Sequence, residues 1–165
     1  MPRIFLPIKE LSNFENALTY VSEIKEMYDR LYAFLWEEED GLEKEMKEKI
    51  RLLLANINGC QTCMSLSYTG DSAWNEPIKA AVTKDDFSEF PEFEQKLFTF
   101  IKKYRREPKE IIEEEISWLM EFYDEPQIIK LLALINLFDG FHKMIVSLDL
   151  YDFCSIGETR KKPIY

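Results

Sequence analysis

Two cysteines, Cys60-Gln-Thr-Cys63, stand directly behind the Asn58-Gly59 dipeptide, and Glu48 lies twelve residues upstream of the first. Nowhere else in the chain are reactive groups gathered at a meaningful spacing. Thiols two residues apart at a helix entrance can close a disulfide, and first-turn N–H groups favour thiolate over thiol. A carboxylate three helical turns earlier can accept the proton. These residue types point to dithiol redox chemistry: a thiolate attacks an O–O bond and becomes a sulfenic acid. The second thiol then displaces it as a disulfide, which an external dithiol reopens. Helix position alone makes Cys60, the more N-terminal and expected to be the more exposed, the easier nucleophile.

Other uses of the pair fit less well. A zinc site needs four ligands, and outside the pair only Cys154 and His142 are on offer. Haem attachment of the c type requires histidine where Met64 follows Cys63, and no βαβ pattern surrounds the motif as in thioredoxins. No metal or other cofactor is therefore expected. The plain alternative is two buried cysteines without a role. Glu48 on composition alone is one more acid in Glu43-Lys-Glu-Met-Lys-Glu48-Lys, and only its offset from Cys60 singles it out; Leu52 and Ala55 on its helix face make burial plausible. His142, the sole histidine, sits on a largely apolar helix, where a core or interface role is the ordinary reading.

The chain of 165 residues is read as one domain, 1–165, with a tail from about 155 extended. A net charge of −10 argues against a nucleic-acid surface, and the one basic cluster, Arg160-Lys161-Lys162, is read as solvated. No apolar run approaches the ~18 residues of a membrane span, and the N-terminal apolar stretch is too short for a signal peptide, so the expected location is the cytoplasm. Three cysteines under those conditions read as a functional pair and a bystander, Cys154.

Apolar residues recur at three- and four-residue steps and alternation is absent, which predicts an all-α fold of about six to seven helices. A capping box, Ser12-Asn-Phe-Glu15, opens a first helix reaching Trp36, with Phe14, Leu18, Val21, Ile24, Tyr28, Leu31 and Leu35 on one face. A second helix, about 42–57, has a buried C-terminal half and ends at Asn58-Gly59; a third runs from Cys60 to about Tyr68. A short helix with Pro77 in its first turn follows, then one from about Pro91 to Tyr104, one from Pro108 to about Tyr123, and a last one capped by Asp124-Glu-Pro126 and reaching about Leu150. The last is apolar on most sides and belongs at the bundle centre or in a subunit interface. The charge-dense runs 37–49 and 107–115 are read as solvated faces, and the aromatics of 87–104 as core, with an apolar peroxide pocket as the lesser reading.

Glu48, Cys60, Cys63 and the stretch Arg51-Leu-Leu-Leu-Ala-Asn-Ile-Asn-Gly-Cys60 resemble the carboxymuconolactone decarboxylase superfamily, and within it the AhpD-like alkylhydroperoxidase branch. That branch carries Glu, eleven residues, then Cys-x-x-Cys-x-x-x-His. The first three positions match. Ser67 stands where the family has histidine. Phe87 to Tyr104 and Phe141-His-Lys-Met also look like later helices of that family.

The resemblance implies Glu48 as proton acceptor, Cys60 as resolving and Cys63 as peroxide-attacking cysteine. It also implies a hydroperoxide or disulfide substrate, an external dithiol reductant, and a compact subunit assembling as a homo-oligomer, whether dimer, trimer or hexamer. Ser67 passes a hydrogen bond but accepts no proton near neutrality as imidazole does. Thiolate formation then leans on Glu48, a water or Tyr68, and His142 is a candidate spatial substitute; the expected enzyme is slow, with an alkaline-shifted optimum. The alternatives are a superfamily member without peroxidase activity, serving as an oligomeric stress or interaction protein, and a carboxymuconolactone decarboxylase-like lyase. The lyase is the weaker because that branch does not depend on a dithiol.

Overall fold

The computed structural model describes residues 1–8, 10–37 and 41–151. Cys154, the basic cluster at 160–162 and the tail from about 155 lie outside them. The described residues form eight α-helices and no strand: α1 Asn13–Leu18, α2 Ser22–Tyr32, α3 Lys44–Asn58, α4 Gln61–Ser65, α5 Asn75–Lys84, α6 Glu92–Arg106, α7 Glu113–Leu119 and α8 Glu125–Ser147. No described helix is long and apolar enough to cross a membrane.

The caps fall where local chemistry places them. Ser12 Oγ accepts the Glu15 amide at 3.2 Å while Glu15 takes the Ser12 amide at 3.3 Å. Asp124 and Gln127 do the same for α8, with Pro126 in its first turn. At the end of α3, Gly59 adopts φ 68°, and the amides of Gly59 and Cys60 return to the carbonyls of Asn56 and Ala55. The chain thereby reverses in one residue and delivers Cys60 to the cap position of α4.

The expected single helix from 12 to 36 is instead two. Thr19 folds its hydroxyl back onto the Asn16 carbonyl at 2.7 Å and Val21 is extended, so α2 starts with a new orientation and closes in a π-helical turn, Ala33–Glu37. The inward face becomes Tyr28, Tyr32, Leu35 and Trp36, whereas Val21, Ile24 and Leu31 of the expected face are exposed. The helix expected over 108–123 breaks at Ile111, leaving a 3-10 turn, Pro108–Glu110, ahead of α7. The Ile112 amide there finds the Glu115 carboxylate at 2.9 Å.

The core centres on α3, which packs most extensively against α8 and α5. Leu52, Leu53, Leu54 and Ala55 of α3 are sealed against Leu131, Leu134, Ile135 and Phe138 of α8, as an apolar helix at the bundle centre requires. An aromatic seam of Phe14, Tyr28 and Phe141, continuing through Tyr32, Trp36, Phe138 and Tyr68, fastens α2 and α8 to the segment after α4. Phe98, Phe100 and Leu97 bury α6, so the aromatics of 87–104 are mostly core.

Of the charge-dense run 37–49, residues 43–45 are exposed as a solvated face requires, but its end departs from that expectation. Lys47, Glu48 and Lys49 are buried, as is Arg51. Lys49 reaches Glu94 at 2.7 Å and Glu45 at 2.9 Å and lies over the Trp74 ring, so an ion pair and a cation–π contact replace the lost water. The run 107–115 does stay largely exposed.

Candidate functional site

Cys60 and Cys63 are joined in a disulfide, their Cα atoms 5.3 Å apart. The spacing at the helix entrance therefore brings the sulfurs within bonding distance, as expected. Exposure departs from expectation: Cys60 is 0 % and Cys63 4 % exposed. Cys60 is not the more open of the two, because the αL turn at Gly59 tucks the cap residue inward against the core instead of presenting it to solvent.

Helix α4 is also shorter than expected, ending at Ser65 rather than near Tyr68. Its terminal carbonyls need no further helical turn because side chains from α3 and α5 capture them. Arg51 Nη1 donates to the Cys63 carbonyl at 2.6 Å and Nη2 to the Leu66 carbonyl at 2.7 Å. Asn75 Nδ2, from the start of α5, takes the Met64 carbonyl at 2.9 Å.

Glu48 is wholly buried, as Leu52 and Ala55 on its helix face made plausible, and its carboxylate pairs with Arg51 one helical turn on. Arg51 Nε donates to Oε2 at 2.8 Å and Nη2 to Oε1 at 2.7 Å, while the Tyr68 amide donates to Oε1 at 3.1 Å. Three of the roughly four acceptor positions of a carboxylate are thus filled, and the remaining one is on Oε2. The guanidinium stacks 4.2 Å from the centre of the Tyr68 ring. One buried arginine therefore ties the acid, both ends of Cys63–Leu66 and Tyr68 into a single unit.

Ser67 is outside the helix that carries the cysteines. It lies beyond α4, and its hydroxyl donates to the Asp71 carbonyl at 2.6 Å, closing the 67–71 loop.

His142 is buried on α8, its ring 5.7 Å from that of Phe138. Its Nδ1 has no hydrogen-bond partner among the described residues. Burial first, then the Arg51 charge, push its pKa down to about 3, so at neutral pH it is an uncharged imidazole with little pull on a proton.

A second network fixes the turn that carries Cys60. Asn58 Nδ2 donates to Asp139 at 2.8 Å, Arg105 Nε to the same oxygen at 2.9 Å, and Arg105 Nη2 to the Asn58 side chain at 2.5 Å. Burial works against the Asp139 charge, but hydrogen bonds from Lys143, Asn58 and Arg105 outweigh it and hold its pKa below the ordinary carboxylate value. The end of α3 is thereby locked to α6 and α8 just before the redox helix begins. A cleft of about 310 Å³ between α5 and the 86–91 loop, lined by Trp74, Pro77, Ala81, Phe90 and Pro91, includes neither cysteine.

Arg51 and the Asn58–Arg105–Asp139 network were missed by reasoning from sequence. For Arg51 a signal existed: a lone cation inside the apolar run Ile50 to Ala55, three residues from Glu48.

No protein-family profile matches the chain, and no curated protein is detectably similar to it in sequence. Solved structures do share its fold. An uncharacterized peroxidase-related protein from Silicibacter sp. TM1040 superposes with a TM-score of 0.73 at 18% identity, covering 88% of this chain and 79% of that one. A second, from Ralstonia eutropha JMP134 and described as an alkylhydroperoxidase AhpD core, gives 0.69 at 16% identity, with 84% and 75% covered. The all-α fold is thus AhpD-like, as the resemblance implied.

Proposed function

We propose that this protein is a thiol-dependent oxidoreductase that reduces hydroperoxides or disulfides through a Cys60–Cys63 dithiol cycle. The observation that carries this reading is the bonded pair itself, seated at a helix entrance with a buried glutamate–arginine pair fastened to the same helix. The AhpD-like fold supports it. In the cycle the Cys63 thiolate attacks ROOH, giving Cys63 sulfenic acid and ROH once the leaving oxygen is protonated. The Cys60 thiol then attacks the sulfenic sulfur, releasing water and closing the disulfide. An external dithiol restores both thiols and leaves oxidised, so the balance is ROOH plus two thiols giving ROH, water and one disulfide.

Cys63 is assigned the attacking role because it is the less sealed of the two. Glu48 is assigned the proton acceptor, through the open position on Oε2, with Arg51 and Tyr68 orienting it. Ser67 and His142 are left outside the relay: the serine proton is committed to Asp71, and the histidine is a poor base. A weak relay and near-complete burial of both sulfurs favour a slow enzyme active at alkaline pH. A cytoplasmic location and assembly with copies of itself complete the reading.

Burial favours a second reading, in which the disulfide is structural and the protein is a non-catalytic interaction protein. Thiol counting before and after one equivalent of hydroperoxide separates the two. The enzyme loses two thiols and consumes peroxide in wild type, and Cys63→Ser abolishes consumption. If pre-reduced protein keeps both thiols while peroxide persists, the catalytic reading fails.

A further inference from the structure

The cleft between α5 and the 86–91 loop lies away from the cysteines and takes no part in the dithiol chemistry. Its volume of about 310 Å³ stands at the lower end of small-molecule sites and is about ten times a water's share of the liquid. Pro77 and Ala81, one turn apart on α5, carry short side chains that leave the space open, and Trp74 and Phe90 complete the apolar wall. The loop is held in shape by its own bonds. Asp86 Oδ1 accepts the Ser88 amide at 2.9 Å, the Asp86 amide returns to the Ala81 carbonyl at 3.0 Å, and Gln95 Nε2 holds the Phe90 carbonyl at 2.7 Å. The Phe90 ring is packed against Phe98, their centres 5.4 Å apart. A wall fixed in this way costs a ligand little ordering.

We propose that this cleft binds a small aromatic zwitterion, of the class of a free aromatic amino acid. Trp74 and Phe90 offer ring surface for an aromatic body. Lys49 Nζ lies 3.7 Å from the centre of the Trp74 ring, so that indole already carries one cation and is a poor partner for a second. A ligand's ring, not its positive charge, therefore belongs against it. The rim supplies partners for both charges. Lys84 and Glu89 are exposed there, and neither makes an ion pair or hydrogen bond among the described residues. Asp86, the third charged group of the lining, has Oδ1 committed to Ser88 and meets Lys84 only through space. Lys84 thus takes the carboxylate of the ligand and Glu89 its ammonium group.

Nuclear magnetic resonance of the full chain tests the proposal, with L-phenylalanine and L-tryptophan as probes and the Trp74 indole N–H, assigned through Trp74→Phe, as the signal. A dissociation constant on the order of 1 mM is expected for a ligand of about a dozen non-hydrogen atoms. Phenethylamine lacks the carboxylate and phenylpropionate lacks the ammonium group. Each should bind about three- to fivefold more weakly than phenylalanine, the worth of one exposed ion pair. Lys84→Met should weaken phenylalanine and phenylpropionate by that factor and leave phenethylamine unchanged. Glu89→Gln should weaken phenylalanine and phenethylamine and leave phenylpropionate unchanged. Absence of any shift at Trp74 up to about 20 mM of either amino acid overturns the proposal. So do single-charge analogues that bind as well as phenylalanine, or variants that weaken none of the ligands or all of them equally.

Discussion

Replacing Arg51 by methionine is expected to be among the most damaging single changes in this protein. The side chain is wholly buried and makes four hydrogen bonds, two to Glu48 and one each to the carbonyls of Cys63 and Leu66. Removing one partner of a buried ion pair costs about 3–5 kcal/mol, because the other charge stays behind without compensation. Each carbonyl left without a donor adds roughly 1–3 kcal/mol where water cannot reach it. These costs share one site and do not simply add, so a loss on the order of 5 kcal/mol is expected, comparable with the whole stability of a marginal domain. Replacing Glu48 by leucine in the same chain removes the stranded charge and should recover about 2–3 kcal/mol, leaving the carbonyl cost. Urea unfolding of wild type, Arg51→Met, Glu48→Leu and the double variant measures the coupling directly. Arg51→Met costing less than about 1 kcal/mol, or a double variant no more stable than Arg51→Met, would refute the pairing argument.

Two further changes follow from the geometry. At Gly59 an added Cβ meets no atom within 4 Å, so the cost of Gly59→Ala is conformational alone, about 1–2 kcal/mol for a left-handed residue, measurable as a lower urea midpoint with an unchanged slope. His142 titrates at about 3 when folded against 6.5 when free, so the unfolded chain binds its proton first and stability falls as pH drops from about 6.5 towards 3. The loss is up to about 1.4 kcal/mol per pH unit, with the full contribution present above 6.5. His142→Gln should flatten that slope between pH 6.5 and 5, above the range where the Asp139 carboxylate takes up its proton; equal slopes in the two proteins would contradict burial as the cause.

Features built from neighbours along the chain could be read directly. The Ser12 and Asp124 caps, the Gly59 stop and the approach of two sulfurs three residues apart depend on local backbone geometry, and they stand where the spacing puts them. The break at Thr19 to Val21 was less legible, since an apolar period continues through it; the back-bond to Asn16 and the gain from burying Tyr28 and Tyr32 redirect the helix. The burial of Glu48 could be anticipated from Leu52 and Ala55, but not its partner, because a three-residue offset says only that Arg51 can reach it.

By itself the sequence determined an all-helical chain with a dithiol at a helix entrance, since periodicity and capping act over a few residues. Tertiary packing alone decided that Arg51 closes over Cys63 and Leu66, that α4 ends at Ser65 and that both cysteines are buried. Those outcomes depend on which groups lose water when α3, α5 and α8 meet. A buried cation must then take whatever carbonyls and carboxylates lie within reach.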